Sequence, residues 1–154
     1  MKKYKSFILT IILVIIDLTV KLIIKNTMIP NQSITIINNF FYITYVKNTG
    51  AAWSILSGRK IFLIIFSLIV IISIIYYIIK RKENNRLESI GYSMVLSGAI
   101  GNLIDRIIYG YVIDYLDFYI FNYDYPIFNI ADILIVIGII IIFISYGGKN
   151  EKKK

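Results

Sequence analysis

Residues 61–79 read IFLIIFSLIVIISIIYYII, a run of 19 residues without a charged side chain. At 1.5 Å per residue, a helix of this length measures about 28 Å, which is close to the thickness of the hydrocarbon core of a bilayer. Isoleucine is β-branched and favours strands in water, but this run is far too long for an ordinary strand. The segment therefore predicts a helix that crosses a membrane.

Three further apolar segments flank this run, although each of them contains some polar side chains. The composition points the same way, because 58% of the 154 residues are hydrophobic and 17% are charged, whereas soluble domains have about 45–50% and about 25%. We therefore predict a single membrane-embedded domain over residues 1–154, with an all-α polytopic fold. Its four transmembrane helices are expected at residues 7–24, 61–79, 87–108 and 127–146.

The basic residues are distributed unevenly around the four predicted helices. Eleven Lys and Arg lie in the N-terminal tail, in the loop 80–86 and in the C-terminal tail, whereas four lie in the loops 25–60 and 109–126. Cytoplasmic loops carry an excess of Lys and Arg, so both termini are expected in the cytoplasm. The same bias accounts for the net charge of +8, and no nucleic-acid partner is needed to explain it.

The two loops expected on the outer side carry most of the remaining sequence information. Within residues 31–54, apolar clusters at 34–37 and 40–46 flank a pair of asparagines, a pattern that predicts a β-hairpin lying at the membrane surface. Residues 109–126 are rich in tyrosine, as is typical of an interfacial belt. We therefore expect a small extracytoplasmic β-rich element beside the four helices.

Polar residues from four separate stretches are predicted at one depth near the outer face. They are Asp17, Lys21, Asn102, Arg106, Asp114, Asn129 and Asp132. An ionisable group at bilayer depth costs about 2.5–3.5 kcal/mol on insertion scales, so several at one level need partners or a function. Two pairs, Asp17 with Lys21 and Asp105 with Arg106, are candidates for ion pairs that only hold the helices together.

Asp114 and Asp132 are harder to explain as ion pairs, because few cations remain to neutralise them. Two carboxylates that lie close together cannot both ionise cheaply, so one keeps its proton. Such a pair can activate water with its ionised member and protonate a leaving group with the other. The chain has no His and no Cys, which excludes serine–histidine and cysteine–histidine catalysis and the usual zinc ligands.

Two other classes of protein would also use such a polar cluster. A small transporter or proton carrier would bind cations at Asp17, Asp114 and Asp132, but its acids would lie near the membrane midplane with access from both sides. A structural or assembly subunit would use the cluster to join helices. This alternative does not explain why Asp114 and Asp132 have no obvious counter-charges. No metal or other cofactor is expected, because acids and carbonyls alone would hold only hard cations.

Four sequence blocks carry a resemblance to a known family. They read NTGAAWS at 48–54, GAIGNLIDR at 98–106, GYVIDY at 110–115 and FNIADILIVIG at 128–138. In this order and on this layout, they resemble the signature blocks of the bacterial lipoprotein signal peptidases, also called signal peptidase II. The resemblance implies an aspartic endopeptidase of the bacterial plasma membrane. Its site would lie near the extracytoplasmic face and cut prolipoproteins before the cysteine that carries a diacylglyceryl group.

The resemblance also implies roles for individual residues. Asp114 and Asp132 would be the catalytic pair, and the residues that support the site or bind substrate would be Asn48, Gly50, Asn102, Arg106, Asn129, Asp17 and Lys21. The family's first-helix motif, Asp-Gln-x-Ser/Thr-Lys, is partly kept, since residues 17–21 read DLTVK. The implied partners are a diacylglyceryl-modified prolipoprotein and membrane lipid. We further expect a monomer that is sensitive to globomycin-type inhibitors.

Other residues near these blocks receive structural interpretations. Gly98 and Gly101 are expected to allow close helix packing, and Trp53 is expected to anchor the chain at the interface. Asp117 and Asp124 are expected to be exposed loop acids. A helical peptide hides its carbonyl groups in hydrogen bonds, so the scissile segment of any substrate must be unwound. We hypothesise that Asn48 and Gly50, in the same outer loop as Trp53, receive that segment.

Overall fold

The computed structural model describes residues 3–50, 55–81, 85–120 and 123–151 of the chain. Within these ranges the fold consists of four α-helices and a small antiparallel sheet. The helices are α1 (Lys3–Thr27), α2 (Lys60–Lys80), α3 (Arg86–Ile108) and α4 (Ile130–Glu151). The strands are β1 (Ser33–Ile37), β2 (Phe41–Asn48), β3 (Val112–Ile120) and the two-residue β4 (Tyr123–Asp124).

Helix α3 lies at the centre of the bundle and packs against the other three helices. Its glycines explain how closely α4 approaches. A Cβ atom at Gly98 would collide with the carbonyl oxygen of Ala131, and one at Gly91 would lie 2.8 Å from the carbonyl oxygen of Gly138. A Cβ at Gly101 would meet the carboxylate of Asp17 on α1. The packing role expected for Gly98 and Gly101 is thus confirmed.

The side chains that helix α1 buries inside the bundle are mainly polar, whereas most of its large apolar side chains lie outside. On α1 the buried residues are Ser6, Thr10, Asp17, Lys21 and Ile24, while most isoleucines of the same helix are exposed. A protein in water would show the reverse, because large exposed apolar patches are rare on soluble monomers. This arrangement fits a bundle that is surrounded by lipid.

The structure contains a helix at each of the four predicted positions, but these helices differ in how long and apolar they are. Helices α1 and α2 are long and apolar enough to span a bilayer, and α4 contains a shorter apolar stretch over Ile130–Tyr146. Crossing by all four helices, and the orientation of the termini, stay predictions. The expected bounds of the second and third helices agree with the structure to within one residue, whereas α1 extends beyond residues 7–24 at both ends.

The fourth helix begins at Ile130, three residues later than the expected start at residue 127. The delay has a local cause, because Phe128 forms an antiparallel bridge with Leu116 on β3. Its backbone N–H donates to the Leu116 carbonyl at 3.1 Å, and its own carbonyl accepts from Leu116 at 2.8 Å. The residues before α4 are therefore tied to the sheet before the helix can begin.

The predicted hairpin is confirmed as β1 and β2, which pair antiparallel from Ser33 opposite Thr44 to Ile37 opposite Phe41. Asn39 in the turn has a left-handed backbone with φ of 58°, a conformation that asparagine tolerates better than most residues. Strand β2 also pairs antiparallel with β3. The sheet thus joins the segment after α1 to the segment after α3.

The expectation that Asp117 is an exposed loop acid is wrong. It lies on β3, its side chain is only 4% exposed, and it accepts a hydrogen bond from the Thr44 hydroxyl on β2. The sequence places it in a polar, tyrosine-rich loop, but pairing of that loop with the hairpin covers it. The side chain of Asp124 and all of Trp53 lie outside the described residues.

A buried ion triad connects the elements that carry the polar cluster. The Lys21 ammonium lies 3.0 Å from the Asp17 carboxylate and 3.1 Å from that of Asp105, and all three side chains are at most 1% exposed. The acids also accept backbone N–H groups, Asp17 from Ala131 on α4 at 3.0 Å and Asp105 from Ile113 on β3 at 3.1 Å. The triad therefore ties together α1, α3, α4 and β3.

The triad confirms one expected ion pair and corrects the other. Asp17 does pair with Lys21. Asp105 was expected to pair with Arg106, but its carboxylate faces Lys21 on α1, while the Arg106 guanidinium reaches the carbonyl of Gly50. Consecutive residues on a helix point in different directions, so neighbours in sequence do not face each other.

We expect Lys21→Met to destabilise the protein strongly. Removing the ammonium leaves two buried carboxylates facing each other, and breaking a buried pair in this way costs about 3–5 kcal/mol of unfolding free energy. Lys25→Met is the matched control on the same helix, because the Lys25 ammonium only lies 3.6 Å above the Tyr109 ring and its loss should cost about 1 kcal/mol. Thermal unfolding in detergent micelles measures both.

Adding Asp105→Asn to Lys21→Met should recover part of the lost stability, since one of the two uncompensated carboxylates is then neutral. Equal melting temperatures for the Lys21 and Lys25 variants would contradict the importance of the triad.

Candidate active site

Asp114 lies on β3 with its side chain buried, where the pairing of β2 with β3 places it beside the end of β2. Its two carboxylate oxygens accept hydrogen bonds from two different asparagines. The Asn48 amide donates to Oδ2 at 2.8 Å, and the Asn129 amide donates to Oδ1 at 2.6 Å. The carboxylate is thus fixed by neutral donors from β2 and from the start of α4.

Asp132 lies in the first turn of α4, where it forms a reciprocal pair with the residue before the helix. The Asn129 side-chain oxygen accepts the N–H of Asp132 at 3.1 Å, and the Asp132 carboxylate accepts the N–H of Asn129 at 3.1 Å. This is the geometry of a helix capping box. The other oxygen of Asp132 accepts the Asn102 amide at 2.8 Å, which fixes the carboxylate relative to α3.

Asn129 connects the two carboxylates. Its side-chain amide donates to Asp114 and its backbone N–H donates to Asp132, and the residue has no exposed surface. A single buried residue therefore holds both acids, so their relative position depends on the start of α4. Within the described residues, no group of three or more acidic side chains is arranged to hold a metal ion.

The surroundings of Asp114 favour its protonated form. Burial, and then the neighbouring charge of Asp132, raise the pKa of Asp114 to about 7, although hydrogen bonds from Asn48 and Asn129 act in the opposite direction. Two interacting carboxyls titrate as a pair. Below pH about 7 Asp114 therefore keeps its proton, as the acid of an acid–base pair requires.

The ion triad is connected to the carboxylate pair through the side-chain amide of Asn102. The Lys21 ammonium donates to the Asn102 side-chain oxygen at 2.9 Å, and the Asn102 amide nitrogen donates to Asp132. Asp17 and Lys21 therefore lie behind the pair of acids and act on it through Asn102. The sequence missed the third member of the triad, Asp105, because its neighbour Arg106 offered a nearer cation in the sequence.

Gly50 and Arg106 shape the loop beside Asp114. The Gly50 N–H donates to the side-chain oxygen of Asn48 at 2.8 Å, which orients the amide of Asn48 toward Asp114. The Arg106 guanidinium donates to the carbonyl oxygens of Gly50 at 3.0 Å and Asn102 at 3.3 Å. The structure thus brings all nine site residues implied by the resemblance into one connected network, while residues 51–54 of the first block lie outside the described residues.

A cavity of about 670 Å³ opens beside the two carboxylates. Its polar residues are Asn48, Ser67, Asn102, Arg106, Asp114 and Asp132, and most of its remaining lining is apolar. Leu63, Phe66 and Val70 line it from α2, Val95 and Ala99 from α3, and Ile133, Val136 and Ile139 from α4. The residues of α2 carry no sequence motif, so no sequence signal pointed to them. The carboxylates thus face an apolar groove between α2 and α4, with α3 as its floor.

Comparisons with known proteins identify a matching family model and several similar proteins. A family model described as signal peptidase (SPase) II matches residues 9–147. Lipoprotein signal peptidases of Staphylococcus aureus, from strains JH9 and Newman among others, are 42% identical over 156 residues, covering 99% of this chain and 96% of theirs.

Two solved structures extend the similarity to the fold. A bacterial membrane enzyme determined by the in meso method at 2.3 Å resolution superposes with a TM-score of 0.90 at 41% identity, covering 97% of this chain and 92% of that one. A second, at 1.9 Å resolution, superposes with a TM-score of 0.83 at 42% identity, covering 92% of each chain. The chain belongs to the signal peptidase II family.

Proposed function

We propose that this protein is an aspartic endopeptidase that removes signal peptides from diacylglyceryl-modified prolipoproteins, cutting before the lipid-modified cysteine. The observation that carries the proposal is the buried pair Asp114 and Asp132, joined through Asn129 at the polar end of an apolar groove. The Staphylococcus relatives are named lipoprotein signal peptidases, which supports the substrate class.

The chemistry follows from one proton shared by two carboxyls. The ionised member takes a proton from a water molecule, whose oxygen bonds to the scissile carbonyl carbon. The protonated member gives its proton to the departing amide nitrogen as the carbon–nitrogen bond breaks. Neutral asparagine donors suit this exchange, because they orient both carboxylates without holding either of them permanently ionised.

The groove beside the carboxylates suits an apolar, lipid-modified substrate. Residues of α2, α3 and α4 provide apolar walls, against which the hydrophobic part of a signal peptide and the acyl chains would pack through van der Waals contacts. At the polar end, Asn48 and Gly50 lie where the unwound segment before the cysteine would bind. Arg106 holds that loop through the Gly50 carbonyl.

We also propose how the protein lies in the membrane. The four helices form one domain that crosses the bacterial plasma membrane, with Lys3, Lys80 and Arg86 at the cytoplasmic end and the sheet at the other. The carboxylate pair then lies near the extracytoplasmic face, where the cleavage site of an exported signal peptide arrives. The enzyme works as a monomer without a metal, and we expect globomycin-type compounds to inhibit it.

The contacts of Asp17 count against the transporter alternative. A cation carrier would need this carboxylate free to bind its ion, but Asp17 is paired with Lys21 and accepts the backbone N–H of Ala131. The acids that line the cavity are Asp114 and Asp132. Both lie near the sheet, Asp114 on β3 and Asp132 in the first turn of α4.

We expect Asp114→Asn and Asp132→Asn each to lower the cleavage rate by about 10²- to 10⁴-fold, the usual contribution of general acid–base catalysis. The assay uses purified protein in lipid–detergent micelles, with a diacylglyceryl-modified prolipoprotein and a gel shift as the readout. Asp117→Asn is the matched control, since it changes another buried acid of the same strand that contacts Thr44. It should keep near-normal activity.

Both inactive variants should still melt cooperatively near the wild-type melting temperature. The loss of cleavage then comes from the missing carboxyl group and not from unfolding. Undiminished cleavage by either variant, or a wild type that does not cut a validated substrate, would refute the proposal.

The pH dependence of cleavage should show the shared proton. Because the pKa of Asp114 is raised to about 7, Asp114 loses its proton as the pH rises through that value and can no longer protonate the leaving group. We expect kcat/KM to fall roughly tenfold per pH unit above this point. Steady-state rates between pH 5 and 9 measure the effect, and a flat profile across that range would contradict it.

A further inference from the structure

Ser67 is a polar residue of the groove that lies outside the network around the carboxylates. It belongs to the uncharged run that forms α2, and it lines the cavity from that helix together with Leu63, Phe66 and Val70. The other polar lining residues named above all take part in the network that holds Asp114 and the acid opposite it. Ser67 therefore brings a hydroxyl group to a wall that is otherwise apolar.

The hydroxyl of Ser67 differs from that of Ser73, the other serine of α2. Ser73 is exposed, and its hydroxyl donates to the carbonyl of Ile69, one turn earlier, at 2.8 Å, as a serine within a helix commonly does. Among the residues that the structure describes, the half-buried Ser67 makes no hydrogen bond through its hydroxyl. A hydroxyl without a partner in apolar surroundings is unfavourable, so a group that enters the groove and accepts a hydrogen bond would gain from this contact.

The start of α2 lies at the carboxylate end of the groove. A Cβ atom at Gly110 would lie 3.5 Å from the ammonium of Lys60, the first residue of α2. Gly110 in turn leads into β3, the strand that carries Asp114. Ser67 follows Lys60 by about two helical turns, or about 10 Å along the axis. Its hydroxyl therefore lies farther into the groove than the first turn of α2, between the apolar walls.

A bound substrate would bring carbonyl oxygens into this part of the groove. The scissile segment must be unwound before the carboxylates can reach it, which frees backbone carbonyls from their helical hydrogen bonds. The diacylglyceryl group adds the carbonyls of its ester linkages. The side-chain amides of Asn48 and Asn102 already donate to the two carboxylates, whereas the Ser67 hydroxyl is available to a carbonyl of the substrate.

We propose that Ser67 is a specificity-determining residue whose hydroxyl donates a hydrogen bond to a carbonyl oxygen of the bound substrate, an inference that rests on the proposed function. The acceptor is either a backbone carbonyl of the unwound signal-peptide segment or an ester carbonyl of the diacylglyceryl group. Both present the same chemistry, a neutral carbonyl oxygen in apolar surroundings. The enzyme thereby favours substrates that place a carbonyl at this depth, because any other substrate leaves the hydroxyl unpaired in a filled groove.

The test compares wild type with Ser67→Ala, Ser67→Thr and Ser73→Ala. Each enzyme cleaves a diacylglyceryl-modified prolipoprotein in lipid–detergent micelles, and kcat and KM are measured separately. Ser67→Ala removes the hydroxyl, whereas Ser67→Thr keeps it. Ser73→Ala is the matched control, because it makes the same substitution on the same helix but removes a hydroxyl that is bonded within α2.

We expect Ser67→Ala to raise KM about fivefold, the factor that corresponds to one neutral hydrogen bond, and to leave kcat nearly unchanged. The bond is made in the bound substrate and kept in the transition state, so its loss weakens binding without slowing the chemical step. Ser67→Thr and Ser73→Ala should keep KM near the wild-type value. An unchanged KM in Ser67→Ala, or an equal rise in either of the other two variants, would overturn the proposal.

A second substrate, in which ether-linked alkyl chains replace the ester-linked acyl chains, identifies the acceptor. If a backbone carbonyl accepts the bond, the difference in KM between wild type and Ser67→Ala persists with this substrate. If an ester carbonyl accepts it, wild type loses its advantage and both enzymes show the same raised KM. Failure of wild type to cleave the ester-linked substrate would instead refute the proposed function.

Discussion

Lys21 holds a positive charge that is almost completely removed from solvent, and the fold around it depends on how that charge is neutralised. One acid comes from its own helix and the other from α3. A buried charge is costly unless it is paired and hydrogen-bonded. Because Asp17 and Asp105 also accept N–H groups from α4 and β3, these charges are satisfied together only when all four elements are assembled.

The same requirement explains how the carboxylate pair can be held accurately by neutral amide donors. Lys21 contacts Asn102, and Asn102 contacts Asp132. The ion triad therefore helps to fix the position of the carboxylate pair through a neutral amide. A directly bound ammonium would favour the ionised form of both acids. Amide donors instead leave burial free to raise the pKa of Asp114 to about 7, where one proton can be exchanged.

Much of this arrangement could be predicted from the sequence, because it depends on local patterns. Long apolar runs predicted the helices, an asparagine pair between apolar clusters predicted the hairpin, and four motif blocks predicted the residues of the site. What the sequence did not predict depends on contacts between distant segments. Asp105 turns to a cation on another helix, and Asp117 is covered when a loop pairs with the hairpin.

The groove itself could not be predicted because it arises from a difference in packing along α3. Toward α4, glycines such as Gly98 bring the two backbones into contact. Toward α2, the contact is made by larger branched side chains such as Ile71, Ile74 and Ile78. Helices α2 and α4 both pack on α3 and make few contacts with each other, so an apolar groove opens between them. The carboxylates at one end of the groove then give it a direction.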